Sequence, residues 1–254
     1  MLPRPRKRFG QHFLTDRHYL RRIVEAIAPG ENDAMVEIGP GTGLLTSELA
    51  AVVRHLHVVE IDRDLAAALR ARFTPGRVTV HEGDVLEFDF TALPTPLRVA
   101  GNLPYNVSTP ILFHIAAVAD RIADCTFMLQ KEVVDRMVAA PGRPEYGRLS
   151  VMLQYRFAME SIFVVPPGAF TPPPKVDSAV VRMRPLPSDR LRARDEARFA
   201  ALVAAAFAQR RKTLRNAARA LVAAAGYEQA GIDASRRGET LSVAEFIRLS
   251  DTAE

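Results

Sequence analysis

The chain has little of what would place it outside a cell or in a membrane. It carries one cysteine, Cys125, so no disulfide can form within it. That thiol lies in an apolar segment, which reads as a buried residue in a reducing compartment. No apolar run approaches the ~20 residues of a membrane-spanning helix. The first residues are rich in Pro and Arg with no apolar stretch behind them, so a secretory signal is not expected. A cytoplasmic chain without membrane association is the resulting expectation. Acid is missing from two stretches. Residues 1–10 carry Arg4, Arg6, Lys7 and Arg8, and residues 209–219 carry Arg210, Arg211, Lys212, Arg215 and Arg219. Signs usually mix on a solvated face. With a net charge of +5 and a pI near 9.7, these acid-free clusters favour a nucleic-acid partner. No side chains cluster at metal-ligand spacing, so no metal is expected, and no internal repeat is present.

What is present is a globular core. Apolar residues make up 48% of 254 positions, enough for one full domain and a small second one. Thr15 or Asp16 is placed to cap a helix through Ala28, with Leu20, Ile23, Val24 and Ile27 at helical spacing. Short apolar strands follow at 35–38, 55–61, 77–81, 97–101 and 125–129. Helical patterns alternate with them at 44–53, 64–73, 110–118 and 131–139. This alternation predicts an α/β domain with a mainly parallel sheet. Residues 149–157 read as helical. Strands at 161–165 and 178–183 are joined by a proline-rich loop with no helix between them, so one should run antiparallel. The composition shifts across Pro185 to Arg190. Beyond it the chain is rich in Ala and Arg, and a small helical domain is expected from about Pro187.

The strand at 35–38 runs into Gly39-Pro40-Gly41-Thr42-Gly43 and a helix, a nucleotide-binding βα unit. The dinucleotide pattern would need glycine at position 44, which is Leu44. Glu37 stands at the strand end, where an acid suits a cationic ligand better than a pyrophosphate. S-adenosylmethionine has a sulfonium and an amino group and no phosphate, so it is favoured over a nicotinamide cofactor. Glu60 ends the next strand and is placed to accept from ribose hydroxyls. Asp84 follows the third strand and is placed to accept from an adenine amino group. Three acids at successive strand ends are expected to form one rim.

Asn102-Leu103-Pro104-Tyr105 follows the strand at 97–101. Alone it reads as a turn, since Asn and Pro favour turns. Beside the glycine loop it acquires a second reading. The Asn102 amide oxygen and the Leu103 carbonyl are two acceptors, and the residue before proline is held extended. Tyr105 supplies a flat face. Together they suit a planar group bearing an NH2.

With these residues in place, the chain resembles the small-subunit (16S) ribosomal RNA adenine N6-dimethyltransferases. The matching segments are Phe9-Gly-Gln-His-Phe-Leu14, Val36-Glu-Ile-Gly-Pro-Gly-Thr-Gly43, Asn102-Leu-Pro-Tyr-Asn-Val-Ser108, Gln130-Lys-Glu-Val-Val134, Tyr146-Gly-Arg-Leu-Ser150, Phe170-Thr-Pro-Pro-Pro-Lys-Val-Asp-Ser178 and Gln209-Arg-Arg-Lys-Thr-Leu-Arg215. The resemblance implies an α/β fold. It would comprise a Rossmann-like seven-stranded S-adenosylmethionine-dependent methyltransferase domain at 1–186, with a basic arm at 1–14, and a helical RNA-binding domain at 187–254. It implies cofactor contacts from His12, Leu14, Gly39, Gly41, Glu60, Asp84 and Asn102; many members have Asn where this chain has His12. It places Asn102, Leu103, Pro104, Tyr105 and Phe170 at the target base. The residues of Phe170's own neighbourhood suggest instead a hydrophobic plug. Arg6, Lys7, Arg8, Arg210, Arg211, Lys212 and Arg215 would grip RNA. The implied substrate is a pair of adjacent adenines in a hairpin loop near the 3′ end of small-subunit RNA, in an immature 30S particle, with the enzyme acting as a monomer. Three rivals are a large-subunit dimethyltransferase conferring antibiotic resistance, a non-enzymatic ribosome assembly factor, and a nicotinamide-dependent oxidoreductase. Leu44 and Glu37 weigh against the last.

Overall fold

The computed structural model describes residues 12–187, 190, 192–209 and 211–252. The expectations resting on Arg6, Lys7, Arg8 and Arg210 lie outside the described residues. The chain divides into two units, residues 1–134 with 158–185, and residues 135–157 with 186–254.

The first unit begins with β1 (Phe13–Leu14) and α1 (Arg17–Ile27). It continues through β2 (Ala34–Ile38), α2 (Leu44–Val52), β3 (Leu56–Glu60), α3 (Arg63–Arg72), β4 (Val78–Glu82), β5 (Leu97–Asn102), α4 (Ser108–Ala117) and β6 (Ile122–Gln130). Helix α5 (Lys131–Val138) runs on into the second unit. Strands β7 (Phe157–Val165), β8 (Phe170–Thr171) and β9 (Ser178–Pro185) complete the set. The α/β class expected from the alternation is the class observed. Helix α1 begins where Asp16 accepts from the His18 N–H at 2.7 Å. It stops where Ala28 turns left-handed ahead of Pro29.

Seven strands form one sheet in the order β4-β3-β2-β5-β6-β9-β7. Strands β4, β3, β2, β5 and β6 pair in parallel, and β9 runs antiparallel to β6, as the missing helix required. The chain lays down β2, extends to one side with β3 and β4, then returns to place β5 on the other side. The loops after β2 and β5 therefore diverge, and a crevice opens between them at the carboxyl ends of the strands. Val36, Val58, Val99 and Phe127 are almost fully buried, as expected of parallel strands covered on both faces. At the opposite end of the strands, Arg98 on β5 binds Asp33 at 2.6 Å and Asp124 at 2.8 Å and donates to the Ala28 carbonyl. These bonds tie α1, β2, β5 and β6 together away from the crevice.

Two features were not read from the sequence. A two-stranded antiparallel strap pairs Phe13 with Thr171 and Leu14 with Phe170. Residues 135–157, assigned above to the first domain, belong to the second unit. Tyr146, Val151 and Tyr155 share a core there with Phe199, Leu241 and Phe246. The helix expected through Phe157 is α6 (Arg148–Gln154), and Phe157 already belongs to β7. The cause is local. Tyr155 stacks on Phe199 with ring centroids 4.4 Å apart and donates its hydroxyl to Glu196, which fixes the chain as it leaves the helix. The rest of this unit is helical as expected: α7 (Glu196–Ala208), α8 (Leu214–Ala217), α9 (Ala224–Ala230) and α10 (Val243–Asp251). Helix α10 starts with a capping box in which Ser242 and Glu245 exchange bonds.

Residue 101 has no room for a side chain. A Cβ there would lie far inside van der Waals contact with the Ile38 carbonyl oxygen on β2. Gly101→Ala must push β5 away from β2, at a cost of roughly 1–3 kcal/mol for overpacking. A lower denaturant midpoint for the variant is the expected result, and an unchanged midpoint would show that the strands separate without strain.

Candidate active site

Three glycines shape the loop after β2. Gly39, Gly41 and Gly43 have φ of 66°, 57° and 77°, in the left-handed region that side chains disfavour. The loop is held from β3. Glu60 accepts from the Gly41 N–H at 3.1 Å with one carboxylate oxygen and from the Asp62 N–H at 2.9 Å with the other. Glu37 accepts from the Thr46 hydroxyl of α2 at 2.6 Å. Glu37 and Glu60 are 1% and 4% exposed, and neither has a cationic partner among the described residues. Burial pushes the Glu37 carboxyl up to about 8, with the Thr46 bond opposing and Glu60 adding to the rise. Burial also raises Glu60, against the pull of the Asp62 and Gly41 N–H groups.

Across the crevice the chain leaves β5 through Asn102-Leu103-Pro104-Tyr105. The Leu103 N–H donates to the Met128 carbonyl at 3.0 Å, and Pro104 accepts from Val107 at 3.2 Å, so the turn is fixed at both ends. The Asn102 NH2 donates to the His12 carbonyl at 3.0 Å. That commitment leaves the amide oxygen as an acceptor with no bond among the described residues. The Tyr105 hydroxyl shares a hydrogen bond of 2.5 Å with the Ser178 hydroxyl. The Tyr105 ring also meets His12, stacked with centroids 5.5 Å apart and planes at 29°. His12 is itself held by the Pro172 carbonyl at 2.8 Å.

One cavity gathers most of the residues singled out from the sequence. His12, Leu14, Gly39, Gly41, Glu60, Asn102, Leu103, Pro104 and Tyr105 all line it, together with Glu37. Two do not reach its wall. Asp84 lies in a separate hollow with Val59 and His81, and its carboxylate accepts from the Leu86 N–H at 2.9 Å. Of the three expected acids Glu37 and Glu60 line this cavity, while Asp84 stands just beyond, on a turn whose Gly83 N–H donates to the Glu60 carbonyl at 3.0 Å. Phe170 is 3% exposed, packed in the core with Ile23, Met128 and Val180. That is the plug its own neighbourhood suggested. Arg211, Lys212 and Arg215 are exposed on the second unit.

Sequence reading missed three contributors. Thr46 is a lone hydroxyl with no pattern to mark it, Ser178 closes a matching segment that gave it no role, and each matters through a partner on another element. Phe13 packs so near Gly41 that a Cβ at 41 would meet its ring at 3.1 Å. Only the strap pairing puts it there.

The residues fit a nucleoside bearing a positive charge. Two buried acids without cations call for a cationic ligand, and the glycine loop lets its backbone approach closely. Among the described residues, the cavity wall has no Arg or Lys to meet a phosphate.

The family model for ribosomal RNA adenine dimethylase matches residues 3–254. Ribosomal RNA small subunit methyltransferase A of Aromatoleum aromaticum is 58% identical over 98% of this chain and 94% of its own length. The protein of the same name from Chromobacterium violaceum is 56% identical over 97% and 95%. A solved dimethyladenosine transferase from Plasmodium falciparum matches the fold with a TM-score of 0.82 at 24% identity, covering 94% of this chain and 96% of that one. The 23S rRNA methyltransferase ErmE matches with a TM-score of 0.74 at 28% identity, covering 94% and 98%.

Glu60 is the side chain that spans the loop after β2 and the turn after β3. Glu60→Ala leaves two largely buried N–H groups without acceptors, a cost of about 1–3 kcal/mol. Faster amide exchange at Gly41 and Asp62 than in wild type is expected, with the strands behind them unchanged. Equal protection in the two proteins would mean the loop holds itself.

Proposed function

We infer that this chain, which belongs to the ribosomal RNA adenine dimethylase family, methylates N6 of two adjacent adenines in a hairpin loop near the 3′ end of small-subunit RNA. It is an rRNA adenine dimethyltransferase, and its relatives that share more than half of their residues with it carry a small-subunit name. The similarity to ErmE is complete in length but far lower in identity, which favours the small-subunit substrate over the large-subunit one. The observation that carries the reading is the meeting of two parts in one cavity: the acid-backed glycine loop and the Asn102–Tyr105 turn. A nicotinamide enzyme or a bare assembly factor has no use for that pairing.

S-adenosylmethionine, when bound, supplies an electrophilic methyl group on a sulfonium. Glu37, Glu60, the Gly39–Gly41 backbone, His12 and Leu14 would hold it. The remaining work falls to this chain's own groups. An adenine amino nitrogen is a poor nucleophile because its lone pair is delocalised into the ring. The Asn102 amide oxygen and the Leu103 carbonyl accept its two N–H bonds and turn the lone pair out of the ring plane. Both acceptors favour the positive charge that grows on nitrogen. Their fixed geometry also lowers the entropic cost of alignment. Tyr105 offers a face for the extruded base, which must leave any helical stack to reach it. Phe170 would join it only after leaving the core. The proton departs to water after transfer, so no dedicated base is needed. The pocket must also accept N6-methyladenine as the second substrate. Phosphate contacts from the N-terminal arm and the basic segment of the second unit position the RNA without reading its sequence. The proposed setting is a monomer acting on an immature 30S particle in the cytoplasm. Among the described residues no helix is long and apolar enough to cross a membrane.

Asn102→Ala removes one acceptor and leaves Pro104 and Tyr105 to shape the turn. Single-turnover methyl transfer on saturated complexes should slow by on the order of 100-fold. RNA affinity should hold, since phosphate contacts dominate it. A wild-type transfer rate would make Asn102 a turn former only.

Replacing Arg211, Lys212 and Arg215 by Gln tests the basic segment. RNA binding should weaken, and its dependence on salt should flatten by about one unit of log–log slope for each phosphate no longer neutralised. An unchanged salt slope would identify the segment as a solvated surface.

A further inference from the structure

Glu37 and Glu60 are both almost fully buried, both line the same cavity, and each feels the other's charge or that of a neighbouring acid. None of the groups bonded to them is a cation, and His12 and Tyr105 are the other titratable side chains on the described cavity wall. Thr46 donates to Glu37; the Gly41 and Asp62 N–H groups donate to Glu60; and Asp62, 3% exposed, adds a further acid beside Glu60. No Arg, Lys or His among the described residues forms an ion pair with either Glu37 or Glu60. Two buried carboxyls facing a common space cannot both ionise without a cation to balance them. They differ in how well ionisation is supported. Glu60 has two backbone N–H donors, one for each oxygen, whereas Glu37 has a single hydroxyl. The proton therefore belongs on Glu37.

We infer that the free site stores one proton on Glu37 and that a sulfonium ligand expels it to solvent, so that the cavity reads the charge on the ligand's sulfur. This rests on the reading that the cavity takes S-adenosylmethionine. In the free protein the Glu37 O–H is intact and the pair carries one negative charge. A cation entering the cavity stabilises the second carboxylate, the O–H bond breaks, and the proton passes to water. The demethylated product is a thioether without the sulfonium charge. It keeps the amino group but lacks the sulfonium charge that this proposal sets against Glu37, so the proton returns from water when product replaces donor. The pair thereby favours the charged donor over the neutral product when the pH is high, and loses that preference when it is low.

The sign follows from linkage. The free Glu37 carboxyl titrates near 8, so below that pH donor binding must release a proton and its affinity rises with pH. The limit is about tenfold in affinity per pH unit for one proton. Above that pH the carboxyl is already ionised and the dependence vanishes. Product affinity should be nearly flat through the same range. The ordinary carboxylate range would put such a dependence well below neutrality.

Calorimetric titration of the full chain with S-adenosylmethionine and with S-adenosylhomocysteine tests this. Each titration is run at neutral pH in phosphate and in Tris, whose ionisation heats differ. The donor should release close to one proton, and the product close to none. Glu37→Gln keeps an acceptor for Thr46 but cannot ionise. It should bind donor with no proton release and no pH dependence, and should retain product affinity within a few-fold. Thr46→Val supplies a second route that leaves Glu37 in place. Losing the Thr46 donor disfavours the carboxylate, so the pH at which proton release ends should move upward. Equal proton release for donor and product, or for wild type and Glu37→Gln, overturns the proposal while leaving the cofactor assignment standing. Failure of wild type to bind either ligand overturns both.

Discussion

Strands β2 and β5 approach so closely at Gly101 that no side chain fits between them. The site depends on that approach. It brings the loop after β2 and the turn after β5 to the two lips of one crevice. Gly39 answers from the other side, where an added Cβ would meet the Asn102 carbonyl at 3.4 Å. Each loop is then fixed by its own partners. Glu60 fastens Gly41 from β3, and the Met128 carbonyl fastens Leu103 from β6. Arg98 ties the opposite ends of these strands, away from the crevice. A methyl group can pass between two ligands only if their pockets share an edge, and this close pairing of strands supplies the edge.

The two lips differ in electrostatic character. The β2 lip concentrates buried acid that no cation among the described residues neutralises. The β5 lip offers neutral acceptors, an amide oxygen and a carbonyl. A positive charge is thus favoured on the donor side before transfer and on the acceptor nitrogen as transfer proceeds. The strap of β1 and β8 crosses between them. The His12 carbonyl, just ahead of β1, holds the Asn102 NH2, and the His12 ring stacks on Tyr105. The strap therefore bears on amide orientation as well as on the ligand beside Leu14.

Much of this was legible beforehand. The α/β class, the antiparallel β9, the glycine loop and the acceptor turn follow from apolar periodicity and from residues with strong local preferences. Nine of the eleven residues named for catalysis and cofactor binding line one cavity. Asp84 and Phe170 are the two that do not. Asp84 was read from strand register; it lies in the neighbouring hollow, with one carboxylate oxygen on its own turn. For Phe170 the local signal, a ring in a proline-rich loop, pointed to the core, and only the resemblance placed it at the target base. The second unit's claim on residues 135–157 was also invisible, since packing partners such as Phe199 and Phe246 lie far along the chain.

The sequence by itself determined which elements form and which chemical groups end them. Local sterics and a period of two or 3.6 residues act within a few positions, so they can be read along the chain. Tertiary structure alone decided which groups meet. The Tyr105–Ser178 bond, the Asn102–His12 bond and the stack of His12 on Tyr105 join residues 73 to 93 positions apart. The electrostatic coupling of Glu37 to Glu60 depends likewise on adjacent strands. Burial is a collective property of everything packed around a group. A carboxyl that is ordinary in the sequence becomes a proton store only when its neighbours remove the water.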